Sequence, residues 1–365
     1  MIVLNIKLDN IYGFNDFEIN FSYPKKVVNS FIEDEHLENR PRFRYKKAIV
    51  LMGANATGKT SLGRALLHIF RYIETGNDAV LYEMVSGNGS GTFAIDFVNQ
   101  GYTLHRLSAV INVLDENVEI KYHSAEIQSM DSYEKCVGKL IDHTEIIFNN
   151  TNTLKKNIGP FEYRFAYPEI ERSLNISEVD QRTLLKTLRA VIGTLDPTLQ
   201  DVSIAKDLKN SFVIRRSGEE IIIQEGRLLN REMLSSGTVE GIDVAVFLAS
   251  MKTLRPCFYY CDEHFSFIHS DIEKRIFGLM LGRLKKNEQM IFTTHNSDML
   301  DLNLPKHAFG FLRKQREEDV YRISAVFASD ILKRNTDSVR SAVENDSFLS
   351  SPDDSLLDEL EMDNE

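Results

Sequence analysis

Residues 53 to 60, Gly53-Ala54-Asn55-Ala56-Thr57-Gly58-Lys59-Thr60, satisfy the pattern G-x-x-x-x-G-K-[ST] and lie between an apolar run at 48–52 and an amphipathic stretch at 61–73. Each residue type has a physical reason. Glycines let the backbone wrap phosphate groups, amides at a helix start face the anion, Lys59 reaches the outer phosphates, and the Thr60 hydroxyl can ligate Mg²⁺. A second candidate is the apolar run 258–261 ending in Asp262 and Glu263: Asp262 would hold the metal shell and Glu263 would polarise an attacking water. In a third, Leu234-Ser235-Ser236-Gly237-Thr238, hydroxyls and amides precede a helix expected to open near Val239. Such a stretch can face a phosphate, and taken alone it is also an ordinary helix cap. A fourth, Thr293-Thr294-His295-Asn296, ends another apolar run, where an imidazole can reach a terminal phosphate from the carboxyl edge of a sheet or serve a purely structural role.

The elements that must hold these residues can be read from periodicity. Residues 2–8 and 17–21 read as two strands around a turn, and 48–52 as the apolar strand feeding the glycine-rich loop. Leu62, Leu66, Ile69, Phe70 and Ile73 recur at helical spacing after it. Segments 91–97, 102–111 and 118–123 alternate as an antiparallel β subdomain, the first two turning through 99–101. From about 124 to 200 the pattern is helical, clearest at 177–195, where Ser177 is expected to cap and Leu184, Leu185, Leu188, Val191 and Ile192 share a face. A strand pair at 211–225 turns at Ser217-Gly218, and strands are expected at 257–261 and 290–294. The class is α/β, and the acidic stretch beyond Ser350 is expected to be flexible.

The chain has 365 residues and a formal charge of −11. After Arg340 it carries Glu344, Asp346, Asp353, Asp354, Asp358, Glu359, Glu361, Asp363 and Glu365 and no Lys or Arg, so the body before them is close to neutral. Acidity is thus no argument against a local nucleic-acid contact, and Arg40, Arg42, Arg44, Lys46 and Lys47 interleave with Phe43 and Tyr45 as a stretch able to touch phosphates and stack bases. The competing reading of that stretch is a half-exposed strand entering the core. Cys136, Cys257 and Cys261 lack metal spacing and read as reduced core residues. No window approaches a membrane span, and a cytoplasmic protein with no membrane partner is expected.

Taken in order, GANATGKT, LSSGT, FYYCDE and TTHN resemble the ABC-type ATPase superfamily, and within it the soluble OLD-like (overcoming lysogenization defect) and SMC/RecF-like branch, over roughly residues 1–330. The resemblance implies an ABC-type head: a parallel sheet core carrying the P-loop (1–123 and 256–330), an antiparallel β subdomain and a helical signature lobe at about 124–250, together an ATPase domain of 1–335, followed by an acidic tail at 336–365. ATP and Mg²⁺ are the implied ligands. Gly53, Asn55, Gly58, Lys59, Thr60 and Ser61 match the Walker A loop, Asp262 the Walker B acid with Thr60 on the metal, Glu263 the catalytic glutamate and His295 the switch histidine. Ser235 and Gly237 match signature residues that in the family contact the γ-phosphate of an opposite subunit, with Ser236 standing where glycine is usual. Ser266 and His269 fall at the D-loop, His269 being similar to OLD-like proteins. No glutamine could be assigned to the Q-loop, Gln100 and Gln128 both lacking context. Only about 35 residues follow the last expected strand, and the acidic run LDELEMDNE lacks the strand context that the metal site of a TOPRIM nuclease needs, so no nuclease is expected in this chain. The resemblance therefore implies a head-to-tail dimer or higher oligomer that hydrolyses ATP and regulates a separately encoded effector, a nuclease or toxin, as standalone OLD-like ATPases do in bacterial antiphage defence. The alternative is a RecF/SMC-like DNA-repair or DNA-organising ATPase that contacts DNA directly.

Overall fold

The computed structural model describes residues 1–27, 30–87, 89–99, 101–147, 151–167, 179–205, 208, 210–216, 218–224, 227–252, 255–317, 320–334 and 336–350. At its centre is a six-stranded sheet ordered Glu162–Ala166, Cys257–Asp262, Gln289–Thr293, Ala48–Met52, Phe309–Glu317 and Val320–Phe327. The first five strands are parallel and the last folds back antiparallel. Strands Ala48–Met52, Cys257–Asp262 and Gln289–Thr293 are buried at every position, as near-continuous apolar runs must be when both sheet faces are covered. Ile49, Leu51, Phe258, Tyr260 and Ile291 point into one core; Val50, Met52, Tyr259, Cys261, Met290 and Phe292 point into the other.

The first core lies under the helix Lys59–Thr75, which buries the apolar stripe expected of it. A six-stranded antiparallel sheet closes that side, ordered Phe17–Asn20, Ile2–Asp9, Ser90–Val98, Thr103–Asn112, Asn117–Glu126 and Ile141–Asp142. The second core is filled by helices Gln181–Leu195, Ser236–Ser250 and Ser270–Leu281 and by a four-stranded sheet, Leu199–Ile204, Ser211–Arg216, Glu219–Gln224 and Arg227–Leu228. This mixed α/β arrangement is the expected fold class. No helix among the described residues is long and apolar enough to cross a membrane. Cys136, Cys257 and Cys261 are free and buried.

The structure departs from expectation in several places. The stretch assigned to a helical lobe also supplies the strand Glu162–Ala166 to the central sheet, where it pairs in parallel with Cys257–Asp262. Ser177 lies outside the described residues, and the helix is capped by Asp180, whose carboxylate accepts from the Thr183 amide at 2.8 Å. Ser217 of the 217–218 turn also lies outside them, though the hairpin it joins is present. The expected tail at 336–365 is ordered as far as the structure describes it. Val339–Glu344 is a helix, Arg340 forks onto both oxygens of Asp301, and Phe348 is fully buried and stacked on Phe311 at 4.1 Å. One aromatic side chain reaching the core outweighs the acidity of its neighbours; residues 351–365 lie outside the description.

Residues 40–47 take the second of their two readings, a strand entering the core. Phe43 and Tyr45 are fully buried, so neither is available to stack a base. Lys46 donates to the Asn20 and Ser22 carbonyls and sits over the Phe327 ring; Lys47 donates to the Glu33 carbonyl. Arg40 lies over Tyr102 and binds the Ile127 carbonyl. The alternation of base and aromatic is that of the strand Arg40–Arg44 entering the core, with Arg42 left exposed.

Candidate active site

The glycine-rich loop leaves the buried strand Ala48–Met52 and ends where Lys59–Thr75 begins. Two of its glycines are required. Gly53 has φ +155°, and a Cβ there would stand 2.4 Å from the Leu312 carbonyl oxygen; Gly58 caps the helix at φ +95°, where a Cβ would meet the Phe14 ring at 2.8 Å. Neither space nor backbone conformation tolerates a larger residue. Asn55 is exposed on the crest, and Ser61 is partly buried in the first helical turn. The Lys59 ammonium bends back over the loop. It donates to the Gly53 and Ala54 carbonyls at 2.7 and 3.0 Å and faces Glu263 Oε1 at 3.3 Å. Burial lowers its pKa, against the pull of Glu263.

Asp262 ends its strand fully buried. Thr60 Oγ1 donates to its Oδ2 at 2.6 Å and Thr293 Oγ1 to its Oδ1 at 2.7 Å. Burial raises its pKa, partly offset by those hydroxyls. The hydroxyl and carboxylate together are hard oxygen ligands suited to Mg²⁺, which keeps several waters and takes only one or two protein carboxylates beside substrate phosphates. These residues fit the implied metal.

Glu263 adopts φ +44°, a left-handed conformation that costs of order 1–3 kcal/mol in a non-glycine residue. Its amide is held by the Thr293 carbonyl at 3.2 Å and the Thr293 hydroxyl at 3.0 Å. The turn brings its Oε1 to 2.8 Å from His295 Nε2 while it still faces Lys59. Burial works to raise the Glu263 pKa, but His295 and Lys59 outweigh it and the net shift is downward, which favours an ionised carboxylate. Lys59, Thr60, Asp262, Glu263 and His295, separated by up to 236 positions in Lys59 to His295 numbering, thus meet at the carboxyl edge of three adjacent parallel strands, the usual ligand side of such sheets.

Ser235 caps the helix Ser236–Ser250, its Oγ accepting from the Thr238 amide at 3.2 Å. The helix therefore opens three residues before Val239. Ser235 and Ser236 are exposed, and among the described residues no hydrogen bond or ion pair joins Ser235, Ser236 or Gly237 to the glycine-rich loop. Gly237 abuts the loop after Glu263: a Cβ there would stand 2.7 Å from the Phe267 carbonyl oxygen, and Glu240 accepts from the Phe267 amide at 3.0 Å. In that loop Ser266 donates to the Glu263 carbonyl at 3.2 Å. His269 caps Ser270–Leu281 through Nδ1, which accepts from the Asp271 amide at 3.3 Å. Gln128 is exposed in a turn after the antiparallel strand Asn117–Glu126, and Gln100 lies outside the described residues.

Sequence reasoning missed Glu273, and it named Thr293 within a motif without giving it a role. Thr293 bridges Asp262 and the Glu263 amide. Glu273 is almost fully buried and accepts from Thr294 Oγ1 at 2.7 Å and Asn296 Nδ2 at 2.6 Å, one residue to either side of His295. A cavity of about 380 Å³ opens among Glu263, Ser266, Glu273, Thr294, His295 and Asn296. A buried acid in an amphipathic helix was the one available signal for Glu273.

No family model and no curated protein matches this sequence. Among solved structures, the chain is similar to an SMC head bound to the C-terminal winged-helix domain of ScpA, with a TM-score of 0.53, 14% identity, and coverage of 91% of this chain and 100% of that one. The SMC head domain of Thermotoga maritima matches at a TM-score of 0.44 with 15% identity over 89% and 99% of the two chains. The recombination mediator protein RecF of the RecFOR pathway matches at 0.44 with 12% identity over 88% and 97%. The fold is that of an SMC head.

Proposed function

We propose that this chain is an ATPase of the ABC type that binds ATP with Mg²⁺ and hydrolyses it in a site completed by a second copy. The observation that carries the proposal is the convergence of Lys59, the Thr60–Asp262 pair and the Glu263–His295 pair. Lys59 and the loop amides hold the outer phosphates, the ammonium exchanging its carboxylate neighbour for phosphate oxygens. Thr60 and Asp262 hold Mg²⁺, which when bound neutralises phosphate charge. Glu263, kept ionised, orients and deprotonates the attacking water, and His295 steadies it from the exposed side.

Ser235, Ser236 and Gly237 complete the site in trans: Ser235 and Ser236 are exposed at the start of their helix, and none of the three is engaged with its own glycine-rich loop, so a head-to-tail dimer gives them a phosphate to face. Residues 1–335 form the ATPase unit in this reading. Within it, the motif resemblance and His269 support an OLD-like, cytoplasmic ATPase that regulates a separately encoded effector in bacterial antiphage defence. The direct-DNA alternative loses its stacking residues with the burial of Phe43 and Tyr45. Lys59→Ala tests the core of the proposal. Binding of a fluorescent ATP analogue and phosphate release should both be lost in a protein that unfolds as the parent does; undiminished binding would overturn it.

A further inference from the structure

We infer that Glu273 is the positioning residue that sets His295 against Glu263 and ties it mechanically to the loop carrying Ser266 and His269. The inference rests on the hydrolytic reading above. His295 is 40% exposed in its side chain, and nothing but its bond to Glu263 anchors the ring among the described hydrogen bonds and ion pairs. Its placement is therefore decided by its backbone. Both neighbours of that backbone are held by one carboxylate, Oε1 taking the Thr294 hydroxyl and Oε2 the Asn296 amide group.

The clamp is anchored at both ends. The Thr294 amide donates to the Leu51 carbonyl at 3.3 Å, so one side is fastened to the strand that feeds the glycine-rich loop. Thr294 Oγ1 also accepts from the Asn296 amide at 3.0 Å, closing a tight turn around His295, and Asn296 Oδ1 accepts from the Asp298 amide at 2.9 Å. On the other side, the Glu273 amide itself donates to the His269 carbonyl at 3.1 Å. One residue thus bonds the 264–269 loop through its main chain and the His295 turn through its side chain. Any shift of the first turn of helix Ser270–Leu281, on which Glu273 sits, is delivered to His295 through these bonds without an intervening flexible link, and the exposed Ser266, Phe267 and His269 of the preceding loop are where a second copy would meet it.

Burying a carboxylate is unfavourable unless it is fully bonded, and here the two donors supply that bonding from groups flanking a candidate catalytic residue. Leucine of similar size would pack as well in this part of the second core, where Ile276, Phe277 and Phe292 are buried. The acid is thus explained by what it orients.

The test compares Glu273→Leu, Glu273→Gln and Thr294→Val with the parent in steady-state hydrolysis, ATP-analogue binding and ¹⁵N-detected NMR of the His295 ring. Glutamine keeps a carbonyl for Asn296 and an amide for the Thr294 hydroxyl, and should retain most of kcat. Leucine releases both flanks and should lower kcat by about 10- to 100-fold, the scale on which a misplaced group costs rate. Its KM and ATP binding should stay within about twofold, because the phosphate-binding loop is untouched. Thr294→Val, which removes one donor and preserves shape, should fall between them and answers the question if the leucine variant fails to fold. In the NMR arm the His295 Nε2 signal should lose its carboxylate-bonded position in the leucine and valine variants and keep it in the glutamine variant. Parental kcat and an unmoved His295 signal in Glu273→Leu, or in Thr294→Val should leucine not fold, would overturn the inference. If the parent itself does not hydrolyse ATP while the His295 signal moves as described, the hydrolytic reading fails and the positioning role stands.

Discussion

Replacing Glu263 by Gln keeps the shape of the side chain and removes one negative charge at a point that Lys59, His295 and Asp262 all sense. Two effects follow, with opposite signs for binding and turnover. The Lys59–Glu263 separation of 3.3 Å corresponds to a gross attraction of about 5 kcal/mol at an effective dielectric of 20, much of it offset by desolvation. Exchanging a charge-assisted hydrogen bond for a neutral one leaves a net difference of about 1–1.5 kcal/mol. That interaction competes with phosphate for the ammonium, so ATP should bind the variant equally well or up to about tenfold more tightly. Turnover should collapse, because a carboxamide cannot accept the proton of water. The loss is that of a general base, about 10²- to 10⁴-fold in kcat, or roughly 3–5 kcal/mol of barrier. With hydrolysis suppressed, the ATP-bound state accumulates, and with it the closed dimer. Single-turnover phosphate release gives the rate, and size-exclusion chromatography with ATP and Mg²⁺ gives the mass. A variant that hydrolyses at the parental rate removes Glu263 from its role. One that loses ATP affinity as Lys59→Ala does would show that the carboxylate supports the phosphate site and does not compete with it.

The composite site predicts complementation in trans. Lys59→Ala and Ser235→Ala should each be inactive alone, yet mixing and re-equilibrating them should restore about a quarter of parental activity, from one intact site in each mixed dimer; no recovery in a mixture shown to exchange subunits would count against the head-to-tail arrangement. Far from the site, His105 is buried with Nδ1 at 2.8 Å from the Tyr122 hydroxyl, and burial lowers its pKa to about 4. Its folded pKa lies below the unfolded value, so its contribution is complete above about pH 6.5 and is lost as the pH falls toward 4, a difference of about 3 kcal/mol. Denaturant midpoints of the parent and His105→Gln should converge across that window; parallel curves would show no titration there. Phe348→Ala should cost about 3–5 kcal/mol, since the ring is fully buried against Phe311, and a thermal midpoint unchanged within a degree would return residues 336–350 to the status of a tail.

The parts of the site legible in the sequence are those whose chemistry needs neighbouring residues. A loop that wraps phosphates requires glycines at fixed spacing beside a lysine, and an acid pair on a strand end requires an apolar run before it; both patterns are local and both elements formed where they were expected. The apolar stripe of Lys59–Thr75 follows from a period of 3.6, and the unbroken burial of the central strands from near-continuous apolar runs, both of them local patterns. The basic and aromatic alternation at 40–47 shows the limit of such reading. The same pattern serves a surface that stacks bases or a strand with one face inside, and only packing against the antiparallel sheet distinguishes them.

Tertiary structure alone decided which groups complete the site. Thr60 and Asp262 are 202 positions apart, and Thr293 joins Asp262 from a third strand because the parallel order of Cys257–Asp262, Gln289–Thr293 and Ala48–Met52 brings their carboxyl ends together. Phe14 closes on Gly58 from the turn between strands Ile2–Asp9 and Phe17–Asn20, Glu273 reaches the flanks of His295 from a neighbouring helix, and Phe348 returns from an acidic stretch to stack in the core. None of these residues carries a pattern of its own. A single threonine, glutamate or phenylalanine is ambiguous until the chain's long-range contacts give it a partner, whereas the glycine-rich loop around Lys59 bears its chemistry within eight consecutive residues, Gly53 to Thr60.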